Sequence, residues 1–348
     1  MLTSELRAFI QNIPKAELHC HLEGSIQPAT LLKLALSNSI ELPFENEAGA
    51  RNFFEFKNLN QFIDILSFTA STLKTANDFE TVTVELGADA ARQKITYREV
   101  FLSYDAHQRR GIPWHIVNEG IARGRKIAQE KYNVEMWFIA DIDRTTEKEV
   151  SLNMVELAHA SRHDVGIIGI GMDSKEAGNP ASRHKAAFER AKELGFRLVA
   201  HAGEDVGPES VWDALSMGIE RIDHGVRAIE ENKLVQHLVD IQIPLTICPV
   251  SNIQLKVFPT MAQHSIKQLM DAGVFVTINS DDPPMFGADV VENYLQVAET
   301  FNLIAADIEK LARNSFKAAF MDDVKSSKYL KEFTEKVAQL RTELFNEV

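Results

Sequence analysis

Only two cysteines occur in the 348 residues, Cys20 and Cys248, and neither belongs to a Cys-x-x-Cys pair. That argues against a disulfide framework. Each falls inside a run predicted to be a strand and reads as a free buried thiol, which fits a reducing compartment. Positive charge is scarce as well. With 37 Lys and Arg against 50 Asp and Glu the net charge is −13, which argues against nucleic acid as a partner. No apolar run approaches the roughly 20 residues needed to span a bilayer, so no membrane partner is expected. The segment Met1 to Lys15 lacks the basic and apolar regions of a secretory leader. A soluble cytoplasmic protein is the expectation. Internal repeats, low-complexity tracts and interdomain linkers are missing too, and residues 1–348 are expected to form a single domain, 45% hydrophobic and able to bury a large core.

What is present is a repeated alternation. Short apolar or β-branched runs bounded by turn residues predict eight strands: Ala16–Leu22, Thr96–Tyr104, Glu135–Asp141, Gly166–Met172, Arg197–His201, Arg221–His224, Pro244–Cys248 and Phe275–Ser280. From the second strand onward helical patterns intervene. Val150, Met154 and Leu157 recur at three- and four-residue spacing, as do Leu234, Leu238 and Ile241. Pro180–Leu194 opens on Pro and closes before Gly195, the punctuation of a helix. Eight such units predict a parallel α/β fold, either an open doubly wound sheet or a closed (β/α)8 barrel.

Motif positions separate the two. His19-Cys20-His21, His201-Ala202-Gly203-Glu204, Asp223-His224-Gly225 and Ser280-Asp281-Asp282-Pro283 all lie at C-terminal ends of predicted strands. His-x-His on a strand points both imidazoles to one side, because strand side chains alternate. A third His and a carboxylate would complete a nitrogen- and oxygen-rich shell suited to zinc at a hydrolytic centre. His19, His21, His201 and Asp281 are the expected ligands, with Glu204, His224 and Asp282 left over as acid–base groups. One metal reached from strands one, five and eight favours closure, since barrel strand ends converge on one mouth. About 70 residues separate strands one and two, far more than a crossover needs. Leu31–Leu36, Phe62–Phe68 and Phe79–Leu86 read there as helices. Its aromatics, Phe53, Phe54, Phe56, Phe62 and Phe68, read as core that could also form a lid. The tail after Lys325 reads as an amphipathic closing helix. His159, His163, His184, His237 and His264 read as surface or satisfied core residues.

Taken together, Pro14-Lys-Ala-Glu-Leu-His-Cys-His-Leu-Glu-Gly24, His201-Ala-Gly-Glu204, His224-Gly225 and Ser280-Asp-Asp-Pro283 resemble the adenosine/adenine deaminase family of the amidohydrolase superfamily, in order and over nearly the whole chain from Pro14 to Phe316. The resemblance implies zinc-dependent hydrolysis of the 6-amino group of a small aminopurine. In that scheme Glu204 protonates purine N1, His224 orients the attacking water and stabilises charge, and Asp282 grips N7. Ser174, at the turn after strand four, contacts N3 through its backbone N–H. Two-metal amidohydrolases carry a modified Lys at the end of strand four; Met172-Asp173 stands there, so one Zn²⁺ per chain is expected and Lys175 reads as a solvated loop charge. Glu23 follows His-x-His-Leu where adenosine-specific members carry Asp against the ribose. Glu23, Ile222-Asp223-His224 and Ser251-Asn252 resemble the adenine branch, while the sequence after Phe286 lacks that branch's Gly-Gly-Tyr. On this balance adenosine is expected narrowly ahead of adenine, with another adenosine-like nucleoside, a metallohydrolase of a different amidine or amide, and a non-catalytic binding barrel as the other readings.

Overall fold

The computed structural model describes residues 1–346; Glu347 and Val348, the end of the expected domain span, lie outside them. Eight strands pair in chain order: β1 Lys15–Glu17, β2 Ile95–Leu102, β3 Glu135–Asp143, β4 Ile167–Asp173, β5 Arg197–Ala202, β6 Arg221–His224, β7 Leu245–Ile247 and β8 Val276–Ile278. Every neighbouring pair is parallel. The central strands are apolar on both faces; in β3, Met136, Phe138, Ile139, Ala140 and Ile142 are all fully buried, as expected of a sheet flanked by helices on one side and packed against itself on the other.

Between β8 and β1 no ladder forms. The seam is closed instead by Leu18 N–H donating to Asn279 Oδ1 at 2.9 Å, Asp281 N–H to the His19 carbonyl at 3.1 Å, and His21 N–H to the Asp281 carbonyl at 3.1 Å. The result is a nearly closed α/β barrel. The first strand is shorter than the predicted Ala16–Leu22: its ladder stops at Glu17, and His19 and His21 follow in an extended segment held by single bridges, Cys20 to Asp281 and His21 to Phe101. The predicted helix Pro180–Leu194 is a 3-10 turn, Ala181–His184, followed by an α-helix, Lys185–Glu193.

The long β1–β2 connection carries four helices, Pro28–Ser37, Glu47–Phe53, Leu59–Ala70 and Ala76–Arg92. Three match expectation; the short Glu47–Phe53 helix does not appear in the sequence pattern. Asn58 caps Leu59–Ala70, accepting from Gln61 N–H at 3.0 Å. That helix lies over the barrel mouth, where Phe62 stacks on Phe286 with ring centroids 4.9 Å apart. Phe54 and Phe62 are buried, while Phe53 and Phe56 pack partly buried against the same cluster. The insertion is therefore core and mouth wall at once. The closing helix, Asp323–Phe345, buries Phe333, Val337 and Leu340. Among the described residues no helix is long and apolar enough to cross a membrane.

Candidate active site

At the C-terminal mouth a cleft of about 270 Å³ opens between the strand ends and helix Leu59–Ala70. Leu59, Phe62, Ile63 and Leu66 form one wall; His21, Glu23, His201, Glu204, His224, Asp281, Asp282 and Ser174 reach it from the barrel side. Five strand ends, those of β1, β4, β5, β6 and β8, thus bring the expected residues together, as β/α barrels do.

One ligand atom from each of His19, His21, His201 and Asp281 lies within 4.8 Å of the others, and all four side chains are buried. Their hydrogen bonds leave those atoms available. His19 Nδ1 lies 3.1 Å from Thr246 Oγ1, whose hydroxyl donates to Asp223 Oδ1 at 2.7 Å. The Thr proton is thus committed, so His19 Nδ1–H donates and Nε2 carries the lone pair. That Nε2 is fully buried with no protein partner. His201 Nδ1 donates to the Met172 carbonyl at 2.9 Å, which likewise frees its Nε2. Ser251 donates to Asp281 Oδ2 at 2.6 Å, leaving Oδ1 3.4 Å from both His19 Nε2 and His21 Nε2. Outer partners thus orient three of the four donors inward, as a metal centre requires, and His21 has Asp141 near its Nδ1 at 3.9 Å. A buried three-nitrogen, one-oxygen set fits a divalent metal. Phe101 underlies them, its ring centroid 5.0 Å from His19 and His21.

The remaining groups sit beside this set. Glu204 Oε1 lies 3.5 Å from His224 Nε2. Desolvation first, and then the charges of Asp281, Glu176 and Asp205, hold the Glu204 carboxyl well above the usual carboxylate range. His224 is pushed down to about 3, by burial and then by His19, and is neutral. Asp281 goes the other way: burial favours its neutral form, but the neighbouring His19 and His21 keep it well below the ordinary value. Asp282, 3% exposed, is driven well above its ordinary value by burial and by Asp281, and its Oδ1 has no partner. Gly24 makes that placement possible, since a Cβ there would stand 1.5 Å from Asp282 Oδ1. His224, Asp281 and Ser174 all have positive φ, 66°, 68° and 69°. Non-glycine residues in this region mark strain held by surrounding contacts, and such strain concentrates at functional sites.

Glu23 is buried and held on one oxygen. Arg110 donates to His107 Nδ1 at 2.6 Å, so His107 Nε2–H donates to Glu23 Oε1, also at 2.6 Å, with Ser103 N–H adding 3.2 Å. Burial raises this carboxyl, but the His107 bond and charge outweigh it and leave it below the ordinary value. Glu23 Oε2 is buried without a partner. Ser174 is exposed at the rim and Lys175 is exposed beyond it.

Sequence reasoning missed the groups behind these. Glu176 is 5% exposed and accepts from the N–H groups of Gly203 at 3.0 Å, Glu204 at 2.8 Å and Asp205 at 3.3 Å. It holds the turn that carries Glu204. Asp141 lines the cleft fully buried, with neither oxygen hydrogen-bonded. His107, Thr246 and His264 belong to the same supporting layer and stand in no motif that announces them, while Asn252 joins them from Ser251-Asn252, read in the sequence only as a mark of the adenine branch.

A family model described as Adenosine deaminase matches residues 14–336. A relative from Psychrobacter cryohalolentis, named adenine deaminase, is 39% identical over 322 residues, covering 92% of this chain and 96% of its own. Another of that name, from Cupriavidus metallidurans, is 41% identical over 324 residues, 93% of this chain and 91% of its own. The crystal structure of adenine deaminase from Arthrobacter aurescens superposes with a TM-score of 0.90 at 35% identity, over 94% of this chain and 99% of that one.

Proposed function

The chain belongs to the adenosine/adenine deaminase family, and from that premise we propose that it hydrolyses the 6-amino group of free adenine, giving hypoxanthine and ammonia. The observation that carries the reaction is the pairing of Glu204 and His224 beside the buried His/His/His/Asp set. His19, His21, His201 and Asp281 would hold one Zn²⁺, which when bound supplies the Lewis acidity that makes water a nucleophile near neutral pH.

The protein's own groups do the rest. An aromatic C6 is a poor electrophile until a ring nitrogen is protonated. Glu204 gives its proton to N1 as oxygen adds to C6. As a carboxylate it then takes the proton of the new hydroxyl and passes it to the amino nitrogen, which leaves as ammonia while C6 becomes a carbonyl. The proton shed when water is activated restores Glu204. His224 donates from Nε2 to the attacking oxygen. Asp282, kept protonated by burial and Asp281, donates to N7, which can only accept. The backbone N–H of Ser174 meets N3.

Adenine moves ahead of adenosine, reversing the order expected from the sequence. Two things support this. Relatives about 40% identical over nine-tenths of the chain are named adenine deaminases, which outweighs the absent Gly-Gly-Tyr after Phe286. Glu23 supplies a physical reason. Its ionised carboxylate, with Oε2 partnerless, lines the same cleft as Asp282 and is close enough to raise that carboxyl, so a ring whose N7 faces Asp282 would bring its five-membered edge toward Glu23. Free adenine offers an N9–H donor there; a nucleoside offers a bulky ribose and no donor. Sites built to bond a substrate hydrogen discriminate strongly, because the analogue leaves a buried polar group unpaired. Loss of the adenine absorbance band with zinc-loaded protein is the test. A kcat/KM for adenine more than about 10²-fold above that for adenosine is expected; turnover of adenosine with adenine inert would overturn the substrate, and inert aminopurines altogether would overturn the reaction.

A further inference from the structure

Behind His224, away from the cleft, lie Asn252 and His264, 0% and 1% exposed. A line of hydrogen bonds joins them to it, and one end of that line is a backbone group. Ile266 N–H, which can only donate, points at His264 Nδ1 at 3.0 Å. Nδ1 is therefore an acceptor, and the His264 proton sits on Nε2. That Nε2 lies 3.1 Å from Asn252 Oδ1, the accepting end of the amide. The amide nitrogen then faces His224 Nδ1 at 3.2 Å and must donate to it. Rotating the Asn252 amide would set two N–H donors against each other at His264, so the polarity runs one way only. Burial holds His264 down to about 3, keeping it neutral in this arrangement.

We propose that Asn252 and His264 are positioning residues that lock His224 as its Nε2–H tautomer, making it an obligate hydrogen-bond donor to the reacting oxygen and barring it from acting as the general base. His224 Nε2 points into the site, 3.5 Å from Glu204 Oε1 and 3.9 Å from Asp281 Oδ2. With Nδ1 already accepting, its one proton is directed at oxygen. The proton shuttle then falls to Glu204 alone. The inference rests on the deaminase reading above for its catalytic consequence, though the tautomer itself does not.

The experiment uses zinc-loaded enzyme with ¹⁵N-labelled histidine. Long-range proton–nitrogen correlation, assigned with His224→Gln, should show His224 protonated on Nε2. In Asn252→Asp the carboxylate can only accept, so the His224 proton should move to Nδ1. The kcat on adenine should fall about 10²-fold, the cost of one lost oxyanion donor, with zinc content kept and KM changed less than about threefold. His264→Gln places an amide donor where Nε2 was and should recover most of the kcat lost in His264→Leu. An Nδ1–H tautomer in the wild type, an unchanged tautomer in Asn252→Asp, or His264→Gln as impaired as His264→Leu would each overturn the proposal. Because the spectrum needs no turnover, an enzyme inert to aminopurines would sink the deaminase reading while leaving the tautomer decided.

Discussion

At Glu204 the surroundings oppose ionisation: burial, Asp281, Glu176 and Asp205 all favour the protonated carboxyl. Glu204→Gln keeps size and polarity but removes the proton to be given. Turnover should fall about 10⁴-fold or more, the upper end for a positioned general acid, while metal analysis finds zinc content unchanged. His19→Ala should lose metal and activity together, because a buried ligand nitrogen disappears. The residues in these two experiments were legible in the sequence because their chemistry restricts residue type and packs them into short motifs. His264, Thr246 and Glu176 were not, since each acts only through a partner brought near by folding, and Asn252 was legible as part of Ser251-Asn252 but not in its contact with His224. Glu176 is 27 residues from Gly203 in sequence, and Thr246 is 227 from His19.

Elements show the same division. Glu176, from the loop after β4, ties down the turn after β5 through three backbone N–H groups and the Ser210 hydroxyl. Convergent N–H donors of this kind form an anion nest. Glu176→Gln exchanges a four-fold acceptor for an amide that must turn donors toward donors. A lower thermal midpoint is expected, reflecting the loss of about 1–3 kcal/mol, and kcat should drop by up to about 10²-fold as Glu204 shifts. Intact kcat with a lowered midpoint would assign Glu176 to stability alone. The boundaries that sequence reasoning missed have local causes. The first ladder, with β2, ends at Glu17, and beyond it the chain is held by single bonds to Asn279, Asp281 and Phe101 in place of a continuous ladder. The helix Glu47–Phe53 escapes notice because it is two turns long, contains Gly49 and buries only Ala50; the cap on Asn46, accepting from Gly49 N–H at 3.0 Å, is what starts it.

For the whole molecule, the eight strands and their closure were readable because apolar runs alternate with helical spacing and because one metal cannot be reached from distant strands of an open sheet. The bottom of the barrel was not readable, and Lys15 is its clearest surprise. It is fully buried on β1, bonding to the carbonyls of Ile13 at 2.8 Å and Gln93 at 3.3 Å. Burial above all pushes it down to about 7, with Asp289 opposing and Lys94 assisting. Between pH 7 and the ordinary lysine value of about 10.4, the unfolded chain holds a proton here that the folded chain lacks. Stability should therefore rise with pH across that window, by up to about 1.4 kcal/mol per unit from this residue, and flatten below 7. Thermal midpoints from pH 7 to 9 should climb less steeply in Lys15→Met than in the wild type; parallel curves would show that Lys15 stays charged in the fold.

The seam between β1 and β8 has a consequence for synthesis. Leu18 and Asn279, which bond across it, stand 261 residues apart in the chain, and Asp281 follows just beyond the last strand. A ribosome makes His19 and His21 first and must add about 260 more residues before their carboxylate partner exists. At about 5–20 residues per second, the two histidines wait many seconds with the edge of β1 unpaired on one side. Metal captured in that interval meets an incomplete shell; the full set forms only as the seam closes. The ring of ligands is thus also a marker that the barrel has shut.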